Sequence, residues 1–254
     1  MTTPRQLLKR MDAIGDRFSQ RPEALALLGL GSVGTELDRL DEYSDLDFFV
    51  IVRQGFKQSY IHDLDWLAVQ PIAYSFMNTV DGYKLLYEDG IFCEFAVFEP
   101  QEMASIPFSA GRIVWKAVDF DESVLTPYQL PSDKPKPADW LLGEAITNIY
   151  VGLGRFWRGE KLSAARFIQG YAVDRVVELA AYIETAQPAY RDIFTPERRF
   201  EKRFPGVAGH LTEFVQGYEH SPESALAILT FLEKHFEVNP ALAAKIRALA
   251  GENK

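Results

Sequence analysis

"GSVGTELDRLDEYSDLDFFVIV", residues 31 to 52, decides how the first half of this chain is read. An apolar run, "ALALLGL" (24–30), stops at the Gly31-Ser32 pair, and a second run, "DLDFFVIV" (45–52), carries two aspartates at its start. Both runs have the length and composition of strands. Side chains alternate faces along a strand, so Asp45, Asp47, Phe49 and Ile51 point one way and Leu46, Phe48 and Val50 the other. Two carboxylates about 7 Å apart on one face repel each other and are costly to desolvate unless a cation or donors compensate. A hard divalent ion is a natural compensation, since Mg²⁺ takes one or two carboxylates together with water and phosphate oxygens. Upstream, glycine removes the side chain that would keep backbone N–H groups away from a phosphate.

Working outward, "QPIAYSFMNT" (70–79), "GYKLLYE" (82–88) and "GIFCEFAVFE" (90–99) read as a meander, with Asp81-Gly82 and Asp89-Gly90 as turns. "GRIVWKAVDF" (111–120) adds an edge strand. Leu7, Met11, Ile14 and Phe18 share one helical face behind Thr3-Pro4, which predicts an amphipathic first helix. That helix and the segment from His62 to Val69 are expected against the sheet. Four prolines in eleven residues (127, 131, 135, 137) mark an extended connector. Helical patterns follow over 138–159, 160–186, 221–238 and 239–250, the last two opened by Ser221-Pro222 and Asn239-Pro240. The expected fold class is α+β: a mixed β-sheet domain with flanking helices over residues 1–130, then an α-helical bundle over 131–254.

The totals exclude several classes of function. A net charge of −9 and 36 acidic against 27 basic residues argue against nucleic acid as the main partner, which needs clustered Lys and Arg. One cysteine and four histidines leave no intrachain disulfide and little for a Cys/His zinc site. No apolar stretch approaches the ~20 residues of a membrane span, and the N-terminus lacks a secretory h-region. A reducing, cytoplasmic setting without membrane contact is the expectation.

The opening stretch resembles the nucleotidyltransferase superfamily of the DNA polymerase β type: a strand, Gly31-Ser32, twelve residues, then Asp45-Leu46-Asp47 entering a second strand. "SDLDFFVIV" is similar to the drug-modifying and minimal nucleotidyltransferases. The resemblance implies a third carboxylate on a later strand, and Glu94, the acid inside "IFCEFAVFE", fits. It implies Asp45 and Asp47 as Mg²⁺ ligands, with two ions steadying attacking and leaving oxygens. Glu94 is either a third ligand or the general base. Gly31 and Ser32 would contact ATP or another nucleoside triphosphate, with Arg39 and Ser44 as neighbours. The order of domains is similar to lincosamide and aminoglycoside nucleotidyltransferases, whose acceptor binds between the two domains. That implies transfer of AMP from ATP to a hydroxyl of a small molecule, an antibiotic among the candidates, and a homodimer formed through the helical domain.

Two alternatives stand beside it: a protein adenylyltransferase of the antitoxin type, and a non-catalytic nucleotide-binding protein. Further residues each have a functional and an ordinary reading. Trp115 and Tyr74 are stacking platforms or core; Lys84 is a phosphate contact or a solvated lysine. Arg166, Asp174 and Glu178 are acceptor contacts or surface ion pairs. Arg203 and His210 mimic the Arg-x6-His spacing of helical-bundle ribonucleases, but Pro205-Gly206 and Gly209 interrupt a helix there.

Overall fold

A computed structural model describes residues 2–131, 134–189 and 191–251 of the chain. Ser132 and Asp133 of the proline-rich connector lie outside the described residues. The chain divides into two compact units, residues 1–131 and 132–254. The architecture is α+β, as the sequence predicts.

The first unit opens with α1 (Pro4–Ser19), whose N-terminus is closed by a reciprocal pair of bonds between Thr3 and Gln6. A six-stranded sheet follows: β1 (Ala24–Leu30), β2 (Leu46–Val52), β3 (Ile72–Thr79), β4 (Gly82–Tyr87), β5 (Phe92–Phe98) and β6 (Arg112–Lys116). Their order is β3-β4-β5-β2-β1-β6. β2 and β5 run parallel, and the other neighbouring pairs run antiparallel. The parallel pair is reached through α2 (Lys57–His62), a 3-10 turn at Asp65–Leu67 and the β3–β4 hairpin.

Alternation along β2 divides its side chains between two cores. Leu46, Phe48 and Val50 meet Leu7, Met11, Ile14 and Phe18 of α1, with Trp66 completing the layer. Ile51 and Phe49 face the other way, where Met103, Phe108, Phe120 and Leu125 cover them. At the start of β2 on that face, Asp47 is half-buried between Leu30 on β1 and Glu94 on β5.

The second unit is helical: α3 (Ala138–Trp157), α4 (Lys161–Ala165), α5 (Val173–Ile183), α6 (Phe200–Arg203), α7 (Pro205–Ala208), α8 (Leu211–Phe214), α9 (Ser221–His235) and α10 (Pro240–Ala250). Leu141, Ile149, Leu153, Ile168, Leu179 and Ile228 are among its buried core. The single helix expected over 160–186 is instead α4 and α5 joined by a π-helical turn at Arg166–Ala172. Gln169, on that turn, donates to the Gly217 carbonyl and accepts from its N–H, both at 2.8 Å, which fastens the loop before α9. The short helices α6 to α8 were not expected, because Pro205 opens one of them rather than only ending its predecessor. No helix among the described residues is long and apolar enough to cross a membrane.

Candidate active site

The site starts where β1 ends. Gly31 has φ +52° and leads into a 3-10 turn, Gly31–Val33, closed by the Gly34 N–H donating to the Gly31 carbonyl at 3.2 Å. A Cβ placed on Gly31 would stand 2.9 Å from Asp47 Oδ2 and 3.5 Å from Arg39 Nη2. The carboxylate and the guanidinium therefore converge on the glycine backbone, in space that a side chain would fill. Gly29 serves the same turn: its Cβ would lie 2.6 Å from the Val33 carbonyl oxygen, so the chain folds back tightly only because none is there.

Arg39, on a 3-10 turn at Leu37–Arg39, has a largely buried side chain that pairs with Glu36, Nε to Oε2 at 2.9 Å. The two charges are close but not aligned for a hydrogen bond. Ser32 lies on the Gly31–Val33 turn and is half-buried. Ser44, expected beside the nucleotide, is turned inward on its own loop. Its hydroxyl accepts from the Asp41 N–H at 3.0 Å and donates to Asp41 Oδ1 at 3.1 Å, which stiffens the approach to Asp45.

Strand register then lines up a row across one sheet face. Asp47 opposes Leu30 on β1 and Glu94 on β5, Glu94 opposes Lys84 on β4, and Lys84 opposes Phe76 on β3. Opposed residues share a face, so Leu30, Asp47, Glu94, Lys84 and Phe76 project together. Asp45 stands at the entrance to β2, and among the described residues nothing hydrogen-bonds to or ion-pairs with its carboxylate. Behind the row, burial raises the pKa of the Cys93 thiol; Arg10 opposes that shift, and the charges of Asp45, Asp47 and Asp89 add to it.

Glu94 is engaged on the side away from Asp47. Asn78 Nδ2 donates to its Oε1 at 2.8 Å, and Lys84 Nζ lies 3.4 Å from its Oε2. Asp47 and Glu94 thus share a row, but among the described residues no three His, Cys, Asp or Glu side chains gather as a metal-holding group. Asp45, Asp47 and Glu94 are not drawn into one cluster, because both Glu94 oxygens face β3 and β4.

In the sequence Arg112 is marked only as part of an edge strand. From β6 its Nε donates to the Val33 carbonyl at 3.2 Å, and its Nη2 is buried without a hydrogen-bond partner. A cation at the head of the apolar "RIVW" was the available signal. Asn78 was likewise missed, since nothing local marks an asparagine near the end of a strand.

Trp115 packs edge-on to Phe18 with centroids 5.7 Å apart, whereas Tyr74 is exposed on β3. Glu178 pairs with Lys136 at 2.9 Å and Arg175 at 2.6 Å; Asp174 is exposed, and Arg166 begins the π-helical turn. Arg203 donates to the Pro196 carbonyl, while His210 lies 3.7 Å from Glu213 and stacks on Phe214. Each of that pair is occupied within its own neighbourhood.

No protein-family model matches the chain, and no curated protein matches it in sequence. Among solved structures it is similar to an aminoglycoside 6-adenyltransferase from Bacillus subtilis, with 15% identity and a TM-score of 0.37 over 98% of this chain and 92% of that one. The reading of the site therefore rests on its own geometry.

Proposed function

We propose that the first unit is the donor half of a Mg²⁺-dependent nucleotidyltransferase that moves AMP from ATP to a hydroxyl of a small molecule and releases pyrophosphate. One observation carries this: Asp47 Oδ2 lies against the side-chain-free backbone of Gly31, at the mouth of a turn. A strand-to-turn backbone beside a carboxylate offers N–H donors to phosphate oxygens and an anion to the ion that accompanies them.

The donor set fits Mg²⁺. Asp45 and Asp47 supply two oxygen ligands at a half-exposed strand entrance, and Mg²⁺ takes one or two carboxylates and completes its shell with phosphate oxygens and water. When bound there it would neutralise phosphate charge. The Arg39 and Arg112 guanidinium groups, both beside the Gly31–Val33 turn, would add positive charge toward the triphosphate. In the transfer itself the acceptor oxygen bonds to the α-phosphorus, and the bond from that phosphorus to the bridging oxygen breaks. Pyrophosphate departs with the bridging oxygen. The acceptor's proton passes to a carboxylate, for which Glu94 in the same row is the nearest in register to Asp47.

Lincosamides and aminoglycosides are the acceptors to try first. With Mg²⁺-ATP, a true acceptor should gain the mass of one adenylyl group, AMP less one water, while pyrophosphate appears. Asp47→Asn should weaken Mg²⁺-ATP binding at least ~10-fold, a loss of about 1.4 kcal/mol or more, with thermal unfolding little changed. Equal affinity of the wild type and this variant would remove the site from nucleotide chemistry.

We also propose that the chain forms a homodimer through its helical unit. Trp140, Tyr150, Val151 and Trp157 are exposed on α3, and helical spacing places them with Gly143, Thr147 and Gly154 on one stripe opposite the buried face. An apolar stripe with small residues at its centre is suited to close helix packing.

A further inference from the structure

Resting on the nucleotidyl-transfer reading, we propose that Asn78 and Lys84 are a positioning pair that holds the Glu94 carboxylate outside the metal-binding set and presents it to the acceptor. Glu94 sits in register between an anion and a cation, with Asp47 opposite it on β2 and Lys84 opposite it on β4. Repulsion from the first and attraction to the second act in the same direction, and the Glu94 oxygens are turned accordingly: Oε2 lies 3.4 Å from Lys84 Nζ.

Asn78 fixes the other oxygen. The β3–β4 register shifts between Met77 and Thr79, so Asn78 sits at an irregularity of the ladder. Two residues on from Phe76, it keeps to the face that carries Lys84 and Glu94. Its amide donates Nδ2–H to Glu94 Oε1 at 2.8 Å, while its own Oδ1 is buried without a hydrogen-bond partner. Turning the amide over would set its oxygen against a carboxylate oxygen, so the orientation is dictated by Glu94. An asparagine that leaves its own carbonyl unmatched to serve one carboxylate is organised around that carboxylate. To join Asp45 and Asp47 on an ion, Glu94 would have to surrender both contacts. Held where it is, each oxygen keeps a lone pair free for an incoming hydroxyl, and beyond Lys84 the exposed ring of Phe76 continues the row.

The test uses the full chain, saturated with α,β-methylene ATP and titrated with Mn²⁺ in a calorimeter, with thermal unfolding recorded for every variant. Asp47→Asn should weaken Mn²⁺ binding at least ~10-fold; no effect there would sink the nucleotidyl-transfer reading itself. Glu94→Gln should change the affinity by less than ~2-fold, and a loss matching that of Asp47→Asn would make Glu94 a ligand and overturn the positioning role alone. Lys84→Met and Asn78→Ala should each tighten Mn²⁺ binding several-fold, because a released Glu94 can swing toward Asp47. That gain should disappear when either change is combined with Glu94→Gln, and Lys84→Arg should behave as the wild type. A gain that persists in the Glu94→Gln background would reduce Lys84 to bulk charge, and no gain at all would show that the pair does not restrain Glu94; either result overturns the proposal.

Discussion

Gly31 shows how much one residue can decide. Its φ of +52° is costly for a side-chain-bearing residue, by roughly 1–2 kcal/mol, and its missing Cβ leaves room for an Asp47 oxygen 2.9 Å from where that atom would be. Gly31→Ala should therefore do two separable things. Unfolding free energy should fall by about 1–2 kcal/mol, and Mg²⁺-ATP affinity should fall by a further factor, on the order of 10-fold, because the carboxylate must move. Calorimetric unfolding and nucleotide titration of the same variant check both. The strand-ending glycine turn and the placing of Asp47 at the start of the next strand were legible, since strand alternation and turn chemistry are local rules. Ser44 was not: its hydroxyl closes a turn with Asp41, and a serine in a loop reads the same whether it faces a ligand or its own backbone.

Among the elements, Lys57 ties three together. At the start of α2 its Nζ meets Asp81 Oδ1 of the β3–β4 turn and Glu102 Oε1 of the 3-10 turn Pro100–Ser105, both at 2.6 Å. Burial lowers its pKa, and the bonds and charges of Asp81 and Glu102 outweigh that, leaving it above the ordinary 10.5. A raised folded-state pKa favours the protonated folded form, so this stabilisation is fully present below the ordinary lysine value and is lost as pH rises through the folded one. Unfolding measured from neutral pH into the alkaline range should show that decline above about pH 10.5. Lys57→Met should remove the Lys57 contribution to it and cost roughly 1–3 kcal/mol near neutrality, by leaving two carboxylates unmatched. None of the three partners is near another in sequence, so the cluster was not legible there. By contrast, the burial of Leu7, Met11, Ile14 and Phe18 followed directly from 3.6-residue periodicity.

At the scale of the whole molecule the chain is two units with separate cores, each large enough to exclude water from its own centre. The exposed α3 stripe predicts a concentration-dependent dimer in sedimentation experiments. Replacing Trp140 and Tyr150 together by lysine should give a monomer with the helical content of the parent; a monomeric wild type would remove the helical pairing. The π-helical turn and α6 to α8 were not visible in the sequence, because an inserted residue in a helix and four-residue helices around Pro205 are settled by what packs on them.

Taken alone, the sequence determined the α+β class, the alternation that puts Asp47 and Phe49 on one face of β2, the amphipathic α1 and the glycine turn after β1. These depend on dihedral preference and hydrophobic period, which neighbouring residues impose on one another. Only the tertiary structure decided that Asp47 opposes Glu94 across a parallel pair, that Glu94 leans to Lys84 and Asn78, and that Arg112 reaches the Gly31–Val33 turn. Strand order and register are fixed by burying both sheet faces at once. An ion pair or an amide orientation follows from whichever distant residues that burial brings within reach.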